Sequence, residues 1–346
     1  MVQGKKSQST PEVVTLKAVA EHVGLTSGTV SAVLNDSPAA RSIPQATKNR
    51  IRAAAEELKY RPNFFARTLR HKRTYTIGVI AEEIGDAYGG GIINGIEEYL
   101  RQKDYFFFAV AHRHDPSLLS RYLELLSQRG VEGLITVDTT VQQAPSLPTI
   151  AVAGHTIIHG VTNIVLDHYR AAWLALHYLR DLSHERVAFM KGNPISSDSA
   201  GRWKAICEVA QQIGMKIDPD LTVQIDTDDA TPMLGYPFAK QLLARKKPFT
   251  ALFAYNDISA IGAIRAFQEQ GLRVPEDISV IGFDDIPGAA FYTPSLTTVR
   301  QPLARMGQVA AQSLIERIEG KKEYPTEIAI EPELVVREST GKALNP

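Results

Sequence analysis

From Thr76 onward the chain alternates apolar runs of strand length with amphipathic helical patterns, and no other feature limits the possible fold as much. The runs are Ile77–Ala81, Phe106–Ala111, Gly133–Val137, Ile150–Ala153, Val187–Met190, Val223–Ile225, Ala251–Ala254 and Val280–Phe283. Helical patterns lie between most of them, among them Ile92–Lys103, Leu118–Gln128, Tyr169–Leu182 and Ile258–Gln270. Repeated βα units predict parallel sheets covered by helices on both faces. That many strands over about 250 residues suit two lobes rather than one core. Ligands of open parallel sheets bind beyond the carboxyl ends of the strands. The polar residues expected there include Glu82, Asp86, Tyr88, Asp138, Asp167, Asp198, Arg202, Asp226, Asn256 and Asp284. A cleft lined this way suits a small polar molecule.

The leading segment follows a different grammar. Residues 1–74 hold 13 Lys and Arg against 5 Asp and Glu, a net of +8, whereas the remainder holds 25 against 33, a net of −8. A basic head on an acidic body suits a polyanion at one end only. Within that head, Thr15 can cap a helix Leu16–Val23 whose apolar positions Leu16, Val19, Ala20 and Val23 follow helical spacing. Gly24 fits the left-handed position after its end. Thr26 can cap a second helix with an inner face of Val30, Val33 and Leu34, and a third helix is predicted over Ala46–Leu58. Ser27, Gly28, Thr29 and Ser31 put small polar side chains on the second helix, so that it can enter a groove. Together these features read as a helix-turn-helix facing DNA.

Several classes are excluded or disfavoured. Cys207 is the only cysteine, which rules out an internal disulfide, and its neighbours place it on an amphipathic helix as a buried structural thiol. No apolar run approaches the ~20 residues of a membrane span. Residues 1–14 lack an apolar signal core and read as a disordered arm, which points to the cytosol. Gly89-Gly90-Gly91 matches neither a dinucleotide fingerprint nor a P-loop. Asp228-Asp229 and Asp284-Asp285 are adjacent rather than spaced acid–base pairs, and His112 and His114 read as solvated histidines, not metal ligands. No enzyme, cofactor or metal site is expected.

Thr15–Asn35 resembles the headpiece of the lactose/galactose repressor (LacI/GalR) family of transcription regulators, and Arg61-Pro62-Asn63 with Ala66-Arg67-Thr68-Leu69 is similar to that family's hinge. The resemblance continues through Asn256-Asp257, Gly271–Asp285, Pro294–Val299 and Glu333–Ser339. It implies a periplasmic-binding-protein-like α/β body of two lobes behind an all-α helix-turn-helix headpiece. It divides the chain into an arm (1–14), headpiece (15–62), hinge helix and linker (63–75), effector-binding and dimerisation body (76–340) and tail (341–346). It further implies a homodimer on a near-palindromic operator, controlled by a small effector in the cleft, in the nucleoid-associated cytoplasm of a bacterium. The DNA-facing set is Thr15, Thr26, Ser27, Gly28, Thr29, Ser31, Asn35, Arg67 and Leu69, with Leu69 as a minor-groove wedge. The effector set is Asp86, Tyr88, Asp167, Arg202, Asn256 and Asp284, and its carboxylates and amides favour a sugar or sugar derivative over a nucleobase. Asp285 is expected to be structural. The chain departs from the family in carrying Ala32 where arginine is usual, in its longer Asp36–Ala46 loop, in Asp86–Gly90 after the first strand, and in Ala205.

Overall fold

The computed structural model describes residues 14–61, 73–141, 144–154, 156–194, 197–227, 229 and 231–344. Contacts divide the chain into two units, Met1–Arg73 and Thr74–Pro346. The expected arm and the hinge residues Arg67 and Leu69 lie outside the described residues.

In the first unit, α1 (Leu16–Val23), α2 (Ser27–Leu34) and α3 (Gln45–Glu57) surround one small core. The Thr15 hydroxyl accepts from Ala18 N–H at 3.3 Å, and Gly24 ends α1 at φ +66°, where a Cβ would be strained. The Thr26 hydroxyl accepts from Thr29 N–H at 3.2 Å and so caps α2. A 3-10 turn, Pro38–Ser42, follows α2 and buries Ala40 in the same core.

In the second unit, one six-stranded sheet has the order β11-β5-β4-β3-β1-β2 and the other β12-β10-β9-β8-β6-β7. The first contains β1 (Thr76–Ala81), β2 (Phe106–Ala111), β3 (Gly133–Val137), β4 (Thr149–Val152), β5 (Thr162–Leu166) and β11 (Glu327–Ile330). The second contains β6 (Val187–Lys191), β7 (Thr222–Gln224), β8 (Ala251–Phe253), β9 (Ser279–Asp284), β10 (Thr297–Arg300) and β12 (Glu333–Val335). All described pairings are parallel except β10 with β12. The expected two-lobed, parallel-sheet α/β body is therefore present. Helices α4 (Ala87–Gln102), α5 (Pro116–Gln128) and α10 (Leu303–Ile318) cover the first sheet; α6 (His168–Asp181), α7 (Ser197–Gln212), α8 (Tyr236–Ala244) and α9 (Asp257–Glu269) cover the second.

The chain crosses between the lobes three times: β5 to α6 through Asp167, β10 to α10 through Gln301-Pro302, and β11 to β12 through Glu331-Pro332. Two glycines, Gly95 of α4 and Gly307 of α10, serve packing. A Cβ at Gly95 would collide with the Ala304 carbonyl, and one at Gly307 with the Ile92 carbonyl, so α4 and α10 pack backbone to backbone.

Candidate functional site

Each sheet runs in the 2-1-3-4-5 order of a doubly wound fold, which opens a crevice at the carboxyl ends where the order reverses. A cavity of about 230 Å³ lies there, lined by residues of both lobes. Glu82, His114 and Asp138 follow β1, β2 and β3 of the first lobe; Asn193, Ile225 and Tyr255 follow β6, β7 and β8 of the second; Asp284 ends β9. Asp86, Tyr88, Asp198, Arg202 and Asn256 line the same space from helix starts and from α7.

Arg202 anchors the second-lobe wall and is 5% exposed. Its guanidinium lies 3.6 Å from the Phe283 ring centroid and 5.0 Å from that of Tyr255. One Nη donates to the Tyr255 carbonyl at 2.6 Å, and the other lies 3.5 Å from the Asp198 carboxylate. Its Nε is buried without a hydrogen-bond partner among the described residues. The absence of a Cβ at Gly192 leaves room for the Tyr255 ring. Asp198 also meets His168 Nε2 at 3.1 Å, which ties the cavity wall to the start of α6.

Asp284 is 7% exposed and accepts from Gln301 Nε2 at 2.6 Å. Burial pushes its carboxyl up to about 7, against the opposing pull of Arg202 and Gln301. Its φ of +108° is strained for a residue with a side chain, and Asp285 follows at +59°. Asp285 bridges Arg300 and Arg337, each at 2.7 Å, consistent with a structural role. On the first lobe, Asp86 accepts from the Tyr88 and Gly89 N–H groups and caps α4, while burial, aided by Asp138, raises its pKa. Burial also lifts Tyr88 well above the ordinary phenol range. Asn256 forms a reciprocal capping box with Ser259 at the start of α9.

The structure thus brings Asp86, Tyr88, Arg202, Asn256 and Asp284 to one cavity. Asp167 is not among its lining residues: its carboxylate accepts from Arg170 N–H at 2.8 Å and caps α6. Asp226 is also absent from the wall, where its neighbour Thr227 appears instead. One of the two histidines read as solvated is not. His112 is buried and meets the Thr139 hydroxyl at 3.1 Å, whereas His114 is exposed as expected and lines the cavity mouth paired with Glu82. Cys207 is half-buried, and burial pushes its thiol up.

In the headpiece, Thr15, Thr26, Ser27, Gly28 and Asn35 are exposed and Thr29 is half-buried. Ser31 is a correction. Four successive residues, Val30 to Val33, are enclosed by α1, α3 and the 3-10 turn, leaving Ser31 7% exposed. Asn35 Nδ2 donates to the Ser31 carbonyl and hydroxyl at 2.8 and 3.2 Å. Only the first turn of α2 and its C-cap remain open.

A helix-turn-helix unit followed by a two-lobed, binding-protein-like body with an interlobe cavity defines a ligand-sensing DNA-binding regulator. Residues 15–63 match the lacI family of bacterial regulatory proteins, and residues 176–340 match a periplasmic binding protein-like domain. The chain is 32% identical over 341 residues to the HTH-type transcriptional repressor PurR of Haemophilus influenzae, spanning 95% of this chain and 99% of that protein. It is similar to the Lac repressor dimer bound to operator and the anti-inducer ONPF, with a TM-score of 0.84, 26% identity, and coverage of 95% of this chain and 100% of that one. It is also similar to the transcriptional regulator CelR in complex with cellobiose, with a TM-score of 0.68, 27% identity, and coverage of 94% and 99%. The chain belongs to the lacI family: it is a DNA-binding transcriptional repressor with a ligand-binding body, not an enzyme. Among the described residues, no helix is long and apolar enough to cross a membrane.

Proposed function

We propose that the protein binds a near-palindromic operator as a homodimer in the bacterial cytoplasm, and that a sugar or sugar derivative in the interlobe cavity controls that binding. The observation that carries the effector reading is the polarity of the wall. Seven carboxylates, from Glu82, Glu83, Asp86, Asp138, Asp198, Asp229 and Asp284, line the cavity, with Arg202 as the one fixed cation among the described lining residues. Such a field repels phosphorylated or carboxylated effectors and favours a neutral molecule rich in hydroxyls. Hydroxyls both donate to carboxylates and accept from a guanidinium, so they also suit the unpaired Nε of Arg202. The cellobiose held by CelR supports the same class. Tyr88 and Tyr255 offer rings that also suit a nucleobase, which is the second reading.

On the DNA side, the first turn of α2 with Thr26, Ser27 and Gly28 enters the major groove. Thr15, Thr29 and Asn35 contact its backbone or base edges, and Arg67 and Leu69 engage the minor groove through the hinge. Phe106, 62% exposed on the edge strand β2, and Phe291, 87% exposed, support burial of apolar surface against a second copy.

The test uses the full chain. Selection from a random duplex library yields the operator, and a thermal-shift panel of neutral sugars, phosphorylated sugars and nucleobases identifies the effector. A neutral sugar raises the melting temperature and changes operator affinity. Stabilisation by nucleobases alone would transfer the assignment to the second reading.

A further inference from the structure

We propose that the effector is an aminated sugar, whose ammonium group lies between Asp86 of the first lobe and Asp284 of the second. The proposal rests on the sugar reading of the cavity and names the member of that class its charges select.

A field that turns away anions ranks a cation above a neutral molecule. Arg202, the one fixed cation among the described lining residues, is already engaged. It stacks on Phe283 and Tyr255, donates to the Tyr255 carbonyl and lies 3.5 Å from the Asp198 carboxylate. Asp86 and Asp284 have no such counter-charge. The Asp86 carboxylate accepts from the backbone N–H groups of Tyr88 and Gly89, and that of Asp284 from Gln301 Nε2. Neither forms an ion pair among the described residues.

The two carboxylates belong to opposite lobes and yet act on one another. Burial raises the Asp284 carboxyl against the pull of Arg202 and Gln301, and Asp198 and Asp86 raise it further. Burial likewise raises Asp86, and Asp138 adds to it. Closing the lobes on a neutral ligand expels the water that screens these like charges, so their repulsion grows. A cation between them reverses the sign, and it therefore favours the closed arrangement over the open one. An ammonium carries three donors, enough for both carboxylates. Tyr88 lines the same space and offers such a group the face of its ring.

Two further features narrow the class. Arg202 is 5% exposed, lines the cavity and keeps an Nε without a hydrogen-bond partner among the described residues. A buried donor in that state requires an oxygen acceptor on the ligand, which a sugar hydroxyl supplies and a bare alkylamine does not. No three acidic, histidine or cysteine side chains among the described residues are placed to hold a metal ion, so the carboxylates call for an organic cation. Hydroxyl oxygen for Arg202 and ammonium for the two aspartates together describe an aminated sugar.

The experiment is calorimetry of the full-length protein near neutral pH with glucose, galactose and mannose, each beside its hexosamine and N-acetylhexosamine counterparts, and with nucleobases as the control. In one set the hexosamine should bind about tenfold more tightly than the parent hexose. Acetylation removes the charge and should remove that advantage. Asp86→Asn keeps an oxygen to cap α4 and loses the charge, so it should cost the hexosamine about tenfold more than it costs the parent. Asp284→Asn repeats the measurement from the other lobe and decides the matter should the first variant not fold. A parent or acetylated sugar that binds as tightly as the hexosamine would overturn the proposal and leave the sugar reading standing. So would an advantage that survives both substitutions, which would put the ammonium elsewhere. Binding of nucleobases with no sugar of any set would overturn the sugar reading itself, and this proposal with it.

Discussion

The two lobes share one strand order but hold their polar groups differently. In the first lobe the cavity-facing charges are half-buried or exposed: Asp86 caps α4, Glu82 pairs with His114, and Glu83 is exposed. In the second lobe they are enclosed. Arg202 is clamped between two rings and a carbonyl, and Asp284 leans on Gln301. Buried charges tolerate no rearrangement that leaves them unpaired, whereas solvated caps and ion pairs re-form at little cost. The second lobe is therefore built as a fixed half-site, and the first as an adjustable one. Gln301 extends the fixed half into the β10–α10 crossover, so a ligand acting on Asp284 also acts on a connection between the lobes.

Arg202→Ala should have the largest effect, because it removes the cation from a wall of buried carboxylates. A loss of about 3–5 kcal/mol of body stability is expected. Effector response should disappear while operator affinity stays near normal, as read by DNA titration with and without the sugar that shifts the wild-type melting temperature. Loss of DNA binding as well would mean that Arg202 only supports the fold. Asp284 comes next. Its folded pKa of about 7 lies above the ordinary carboxyl value of 3.8. The folded state therefore binds more protons than the unfolded one between these values, and stability contributed by this group falls as pH rises from about 4 to 7. The span is on the order of 4 kcal/mol. Asp284→Asn should flatten that part of the pH–stability curve, measured by denaturant melts at steps across the range. An unchanged curve would show that the carboxylate is ionised throughout and that the second lobe tolerates its charge.

The first lobe offers the counter-experiment. Gly95→Ala inserts a methyl group against the Ala304 carbonyl and should cost about 1–3 kcal/mol by prising α4 from α10. Because the fixed half-site is untouched, ligand affinity should fall less than stability does, as read by calorimetry and thermal melts on the same sample. Equal loss of both would show that the first lobe is as rigid a part of the site as the second.

How much of this was legible in the sequence depended on periodicity. The runs that became β1, β2, β3, β6 and β8 are continuous and apolar, and α1 with its Thr15 cap and Gly24 stop carries every end signal. β5 was missed because Thr162 and Asn163 break its apolar run; β11 alternates Glu327, Ile328, Ala329 and Ile330 at the edge of its sheet, and β12 has three residues. Cavity residues at strand ends were found because the parallel-sheet rule places ligands there, but the rule does not say which way a side chain turns. Asp138, Asp198 and Asp226 were equal candidates, and only the first two line the cavity. Ser31 was misplaced because spacing alone does not show that the added turn wraps the second half of α2. Gln301 gave no signal, since a lone glutamine before proline has no pattern to mark it; its role comes from the crossover that brings it to Asp284.

The smallest expected effect separates two aspartates that the sequence treated alike. Asp86 and Asp167 each follow a strand and cap the next helix, yet only Asp86 lines the cavity. Asp167→Ala removes one acceptor from the N-terminus of α6 and should cost about 1 kcal/mol, with ligand affinity unchanged. Asp86→Ala should cost a similar amount for the same reason but should also weaken effector binding, because its carboxylate lines the cavity. Calorimetry of both variants against one sugar reads the difference directly. Equal weakening would put Asp167 in the site despite its cap, and would mean that the two lobes close far enough on the ligand for the first crossover to reach it.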